Sequence, residues 1–248
     1  MPVKKKQFLL TIFILTTILN SLQVLAGPPY NTDDPEPTPY KHWEYYISTI
    51  NNAQGGVYSG TLPHFEFNYG IIPNVQIHLL LPLNYSYGNH LPFHYGYGDT
   101  ELGFKYRFVK ESDKIPEIGT FPIFLVPTNK NSEFASEKTQ VFIPIWLQKS
   151  WNKLTSFGGG GYWINPGTGN KNWVFTGLTL QYDFTDKISF GEELYYQSAA
   201  SVDESSSFAF NVGGMINFSE KFHFIFTFGH SIVDENFFTS YMGLWWTI

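Results

Sequence analysis

Aromatic residues on every second position set the tightest limit on what this chain can fold into. Phe222, Phe224, Phe226 and Phe228 alternate with His223, Ile225 and Thr227, and Phe65, Phe67 and Tyr69 alternate around His64, Glu66 and Asn68. A period of two puts all the rings on one face of a strand and the polar residues on the other. An export signal stands upstream of both ladders. An exported chain of such strands fits a membrane β-barrel, with lipid against the rings and polar groups inside. Function is then to be sought in the lumen or at the rim.

The signal reads in three parts. Lys4, Lys5 and Lys6 form the positive region, Phe8 to Leu19 an apolar core, and Asn20 to Ala26 a more polar stretch ending in a small residue. This pattern predicts cleavage after Ala26, and the apolar core is short for a membrane span of about 20 residues. Cysteine is absent, which argues against a lipid-anchored start and against disulfide staples. The formal net charge is −6, with Arg107 the only arginine, so nucleic acid is not an expected partner. No later segment supplies a clean apolar 20-mer for a transmembrane helix. Aromatics reach 19%, which suits a barrel wall and its interfacial girdles.

Three regions follow: residues 1–26 as signal, 27–40 as a periplasmic arm rich in proline and acid, and 41–248 as an outer-membrane barrel. The arm carries Asp33, Asp34 and Glu36 between prolines, and proline removes backbone donors, so it reads as an extended lead into the first strand. Beyond it, strand-like segments run from Trp43 to Ile50, Leu62 to Tyr69, Val75 to Tyr85, Thr100 to Lys110, Ile118 to Val126, Gln140 to Lys149, Leu154 to Trp163, Asn172 to Asp183, Ile188 to Gln197, Ser207 to Phe218, Lys221 to His230 and Phe238 to Ile248. Shorter and longer connections alternate, as in bacterial barrels. The fold expected is all-β: a closed antiparallel transmembrane barrel of about 12 strands. Taking Asn51 to Thr61 as an external loop puts both chain ends on the periplasmic side.

Assigning the apolar parity to lipid gives the candidate lumen residues His42, Glu44, His64, Glu66, His78, Glu101, Lys105, Arg107 and Glu193, with Gln140, Gln148, Asn211, Asn217 and His223 on later strands. Lys105 and Arg107 are the cations expected to meet Glu44, Glu66 and Glu101, either as a salt-bridged plug or in contact with a solute. Glu192 and Glu193 are neighbours and cannot both point inward without a bulge. Pro122 and Pro144 interrupt strand patterns, which predicts bulges or a lateral gap in the wall. Gly158 to Gly161 lacks the context of a phosphate loop and reads as a wall bend or as room for Trp146 or Trp151. No Gly-x-Ser-x-Gly motif supports a hydrolase. His42, His64, His78, Glu44 and Glu66 have the spacing that a zinc site would need, a coincidence common on strand faces. No catalytic residues, metal or cofactor are expected.

Several stretches resemble a family of bacterial outer-membrane proteins described as uncharacterised transporters, similar to the proteins of the meta-pathway for phenol degradation. They are GPPYNTDDPEP at 27–37 with His42-Trp43-Glu44; Gly98-Asp99 with Gly103 and Lys105-Tyr106-Arg107-Phe108; and Pro144-Ile145-Trp146-Leu147-Gln148-Lys149-Ser150 running to Gly158–Gly161-Tyr162-Trp163. Gly177, Gly191, Glu193-Leu194-Tyr195 and Asn211-Val212-Gly213-Gly214 continue the likeness. The resemblance implies an outer-membrane channel or transporter-like barrel for passive passage of small organic solutes, aromatic or hydrophobic ones included. The other readings are a structural or non-conducting outer-membrane barrel and, behind it, an outer-membrane lipid-modifying enzyme. Expected partners are outer-membrane lipid, the solute and, during biogenesis, the barrel-assembly machinery.

Overall fold

A computed structural model of the protein describes residues 28–89, 91–129, 134–234 and 236–248. The expected signal, residues 1–26, lies outside them. Among the described residues fourteen strands form one sheet: β1 Trp43–Gln54, β2 Val57–Ile72, β3 Val75–Gly88, β4 Leu91–Tyr97, β5 Thr100–Val109, β6 Glu117–Thr120, β7 Ile123–Val126, β8 Gln140–Trp151, β9 Leu154–Ile164, β10 Trp173–Thr185, β11 Ile188–Gln197, β12 Ser207–Ser219, β13 Phe222–Asp234 and β14 Phe237–Thr247. All pair antiparallel with a neighbour, and β14 pairs with β1 from Glu44↔Thr247 to Gln54↔Phe237, which closes the sheet. β4 and β5 both lie against β3, and β6 and β7 both lie between β5 and β8. The fourteen segments therefore make a twelve-stranded barrel.

Burial is inverted relative to a soluble domain. Ile47, Ile77, Leu102, Phe104, Ile143, Ile145, Leu178 and Leu194 are exposed, while Glu44, Glu66, Lys105, Gln148, Glu193 and Asn211 are buried. Only closure lets such a wall satisfy its backbone groups in lipid. An aromatic girdle rings the end with the short turns: Trp43 stacks near Tyr69 at 4.5 Å, Phe222 on Trp246 at 5.0 Å, and Phe218 near Phe222 at 5.4 Å.

The strands reach further than the alternation alone marks. Residues 51–61, expected as a loop, are mostly a hairpin closed by Gly55 and Gly56, whose φ values of 58° and 81° fit the tight turn that hairpin twist favours. The stretch Ser86 to Gly98, also expected as loop, contains β4.

Candidate functional site: an arm across the lumen

The Pro/acid-rich arm does not simply lead into β1. Residues 29–38 cross the barrel interior and bond to five strands. Thr227 Oγ1 donates to Pro29 O, and Tyr30 OH donates to Gly213 O at 3.0 Å. The backbone N–H groups of Asn31 and Thr32 donate to the carboxylate of Glu193, which also accepts from Asn211 Nδ2. Thr38 donates from both N and Oγ1 to Gln76 Oε1, at 2.8 and 3.0 Å. A segment with five prolines between 28 and 39 cannot pair its backbone as a strand does. Wall side chains supply the partners instead.

Glycines open the lane that the arm occupies. A Cβ on Gly177 would lie 1.9 Å from Thr32 Oγ1, one on Gly119 2.9 Å from Pro35 Cβ, and one on Gly191 2.6 Å from Tyr30 OH. Inward glycine on β6, β10 and β11 thus serves close approach of a second chain segment.

Lys105 pairs with the arm, and Arg107 with Glu117 of β6 and the arm's Glu36, in place of the expected pairing with Glu44, Glu66 and Glu101. Lys105 Nζ lies 3.0 Å from Asp33 Oδ1 and 3.7 Å from Asp34 Oδ1. Arg107 Nη1 sits 3.2 Å from Glu117 and 3.6 Å from Glu36. Burial pushes the Asp34 carboxyl well above the usual carboxylate range, with Asp33 and Glu36 adding to the rise and Lys105 opposing it. Burial likewise raises Glu36, helped by Glu117 and opposed by Arg107.

Glu66, Asn68, His78 and Glu101 form a separate chain. Asn68 Nδ2 donates to Glu66 Oε1 at 2.8 Å, His78 Nδ1 meets Asn68 Oδ1 at 2.7 Å, and His78 Nε2 lies 3.1 Å from Glu101 Oε1. Glu44 accepts from Tyr46 OH, and His64 Nδ1 meets Thr61 Oγ1 at 3.2 Å. His42 departs from its expected inward place: it precedes β1, is exposed, and its Nδ1 meets Tyr40 O. Glu193 faces in and Glu192 out, with no bulge in β11 to separate them. Among the described residues no three His, Cys, Asp or Glu side chains gather as a metal site.

Three cavities stand in file and share walls. The upper, about 530 Å³, is lined by Phe142, Trp163, Trp173, Phe175, Tyr195 and Phe237 on one side, with Asn52, Gln54, Ser59 and Gln197 among its polar residues. Asn31 and Ile123 separate it from a central cavity of about 170 Å³ beside Glu44, Glu66, His78, Glu101 and Lys105. Trp245 separates that one from a mouth of about 540 Å³ at the short turns, lined by Asp183, Lys187, Asn217 and His223.

Beside the upper cavity the wall is interrupted. β6 pairs with β8 up to Gly119↔Trp146, and β7 resumes at Ile123↔Phe142. Phe121 and Pro122 fall between, bridged to β8 through Thr120 Oγ1 donating to Pro144 O at 2.6 Å and to β5 through Phe104 N donating to Pro122 O at 3.3 Å. Around Pro144 itself the β8–β9 ladder is unbroken. The break is therefore on one side only. Behind it lie buried Phe121, Phe142 and Trp146. A Cβ on Gly159 would lie 3.1 Å from the Trp146 ring and one on Gly161 2.6 Å from the Phe142 ring, so the glycine run makes room for Trp146 as expected, and for Phe142 in addition.

Sequence reasoning missed the arm acids, Glu117 and the aromatic cavity. The available signal was the inward parity of Phe142, Trp146, Trp163, Phe175 and Tyr195 on adjoining strands, opposite to the apolar-out rule.

No protein-family model matches the chain, and no curated protein matches it. Solved structures do. An outer-membrane channel from Pseudomonas putida F1 aligns with a TM-score of 0.75 at 12% identity, over 93% of this chain and 100% of that one. The NanC porin aligns at 0.58 and 8% identity, over 82% and 98%. The KdgM porin, solved in complex with disordered oligogalacturonate, aligns at 0.53 and 9%, over 81% and 98%. At these identities what is shared is the fold: this chain is a twelve-stranded barrel of the kind that outer-membrane channels and porins adopt.

Proposed function

We propose that the protein is an outer-membrane channel for passive passage of small organic solutes, aromatic or hydrophobic ones among them. The observation that carries the reading is the file of three cavities along the lumen, the uppermost walled by six aromatic rings. Trp163 stacks on Trp173 at 5.3 Å and on Phe142 at 4.8 Å, which presents flat apolar faces beside the wall interruption. Such a surface suits an uncharged ring or chain that leaves water on entry. Movement down a gradient needs no cofactor. The porin-like fold supports the same reading. Outer-membrane lipid is the surroundings that the exposed apolar wall requires.

Purified protein in planar bilayers and in solute-loaded vesicles tests this. Ion conductance, or entry of a small aromatic solute faster than into empty vesicles, is expected. Absence of both would refute it. One observation favours the non-conducting alternative: the arm fills the mid-lumen and is held by paired charges at Lys105 and Arg107. A barrel silent in both assays, even with the arm deleted, would be structural.

A further inference from the structure

Glu192 breaks the apolar-out rule of the wall. It points outward from β11 and is exposed, while its neighbour Glu193 is buried in the lumen. The outward residues of this strand run Ile188, Phe190, Glu192, Leu194 and Tyr196, and the four around the carboxyl are exposed aliphatic or aromatic side chains. At about 3.4 Å per residue and a tilt of about 40°, Glu192 stands about 10 Å from Ile188 and about 10 Å from Tyr196. The apolar band of such barrels is about 25 Å tall, so the carboxyl lies near its middle. Its cross-strand neighbours are Leu180 on β10 and Val212 on β12. Among the described residues none gives it a hydrogen bond or a counter-ion.

An ionisable side chain at this depth marks a site, and the depth restricts its partner. Acyl chains carry no donor, and the headgroups of either leaflet lie about half a band away. The wall of a second barrel does reach the middle of the hydrocarbon. That wall offers no cation there if it belongs to another copy of this chain. Lys149, the cation on the outward parity of β8, stands near the short turns and is tied to Glu111 at 2.7 Å. A two-fold axis along the membrane normal, however, preserves depth and brings a residue onto its own copy. A protonated carboxyl both donates and accepts, so two carboxyl groups holding a proton between them satisfy each other without a cation. The wall leaves room for the approach, because Gly214, diagonal to Glu192 on β12, carries no side chain.

We infer that Glu192 is the docking point for a second copy of this chain, with the two β10–β12 faces packed together and the two Glu192 carboxyl groups paired across a two-fold axis. The inference rests on the outer-membrane reading above. The chain has no cysteine, so Leu180→Cys puts a lone thiol beside Glu192, and Leu79→Cys puts one on the outward face of β3, halfway round the wall. Outer membranes holding each full-length variant are treated with a short bis-maleimide, and the products are read on gels and by mass spectrometry. Leu180→Cys should give a cross-linked dimer of this chain and Leu79→Cys should give none. Adding Glu192→Leu to Leu180→Cys should lower the dimer yield about tenfold, about 1.4 kcal/mol. Adding Glu192→Gln, whose amide also donates and accepts, should leave the yield within about twofold. All variants should keep the folded barrel's heat-modifiable mobility. Equal dimer yields from the two thiols, a yield unchanged by Glu192→Leu, or a product joining Leu180→Cys to a different protein would overturn the proposal. If Leu180→Cys fractionates with the outer membrane yet gives no dimer, this inference alone fails. If it does not fractionate there, the outer-membrane reading fails with it.

Discussion

Replacing Lys105 by Met removes the charge that holds the middle of the arm and keeps most of the stem. Lys105 is 5% exposed, and its Nζ lies between Asp33 and the fully buried Asp34. Removing one partner of a buried pair costs roughly 3–5 kcal/mol. Asp33 is 19% exposed at its side chain, so water recovers part of this. A loss of about 2–3 kcal/mol in arm docking is the discounted figure, or about 30- to 150-fold in the docking equilibrium. The chain has no cysteine, so a single reporter can be placed cleanly. Pro35 is fully buried against Gly119 when the arm is docked. Labelling of Pro35→Cys by a maleimide in detergent should be slow, and should accelerate by about that factor when Lys105→Met is added. Single-channel conductance should rise in parallel. The barrel itself should keep its thermal stability, because its ladders are untouched. If labelling changes by less than about threefold, the ion pair does not hold the arm and the argument from buried charge is wrong.

Other outcomes follow from the same geometry. Gly177→Ala places a methyl on Thr32 Oγ1 and should release the arm's first half, read as faster labelling of Pro29→Cys, with the barrel still folded. Glu193→Ala strands the N–H groups of Asn31 and Thr32 and should cost about 1–3 kcal/mol of docking, read by the same labelling. Asp34 has its carboxyl pKa raised on docking, so docking is favoured while Asp34 is protonated and weakens as pH rises through that raised value. Conductance should therefore increase as pH rises above the ordinary carboxylate range, and Asp34→Asn should flatten the response. Trp163→Ala with Trp173→Ala strips the stacked wall of the upper cavity and should slow uptake of an aromatic solute while leaving ion conductance the same or higher.

Much of the wall was legible in the residues because its rule is local. Alternation at Phe222–Phe228 and Phe65–Tyr69 assigns faces without any knowledge of neighbours. The inward placement of Glu44, Glu66, His78, Lys105 and Glu193 follows from parity alone. His42 escaped this because the strand starts one residue later, at Trp43. The extents of β1 and β2 were less visible because Ile50 to Thr61 mixes Asn, Gly and Ser with strand formers, and only the Gly55-Gly56 turn unites them.

By itself, then, the sequence determined a barrel wall with apolar residues outside and ionisable groups inside, since a two-residue period depends on nothing distant. Tertiary structure decided what those inward groups meet. Glu193 holds a backbone 161 residues away, and Lys105 pairs with a carboxylate 72 residues away. Such partners are set by closure of the sheet and by the path of a proline-rich arm with no ladder to follow. The wall interruption at Phe121-Pro122 follows the same logic, for a proline marks a lost donor, but only the neighbours β5 and β8 decide which side of the strand comes apart.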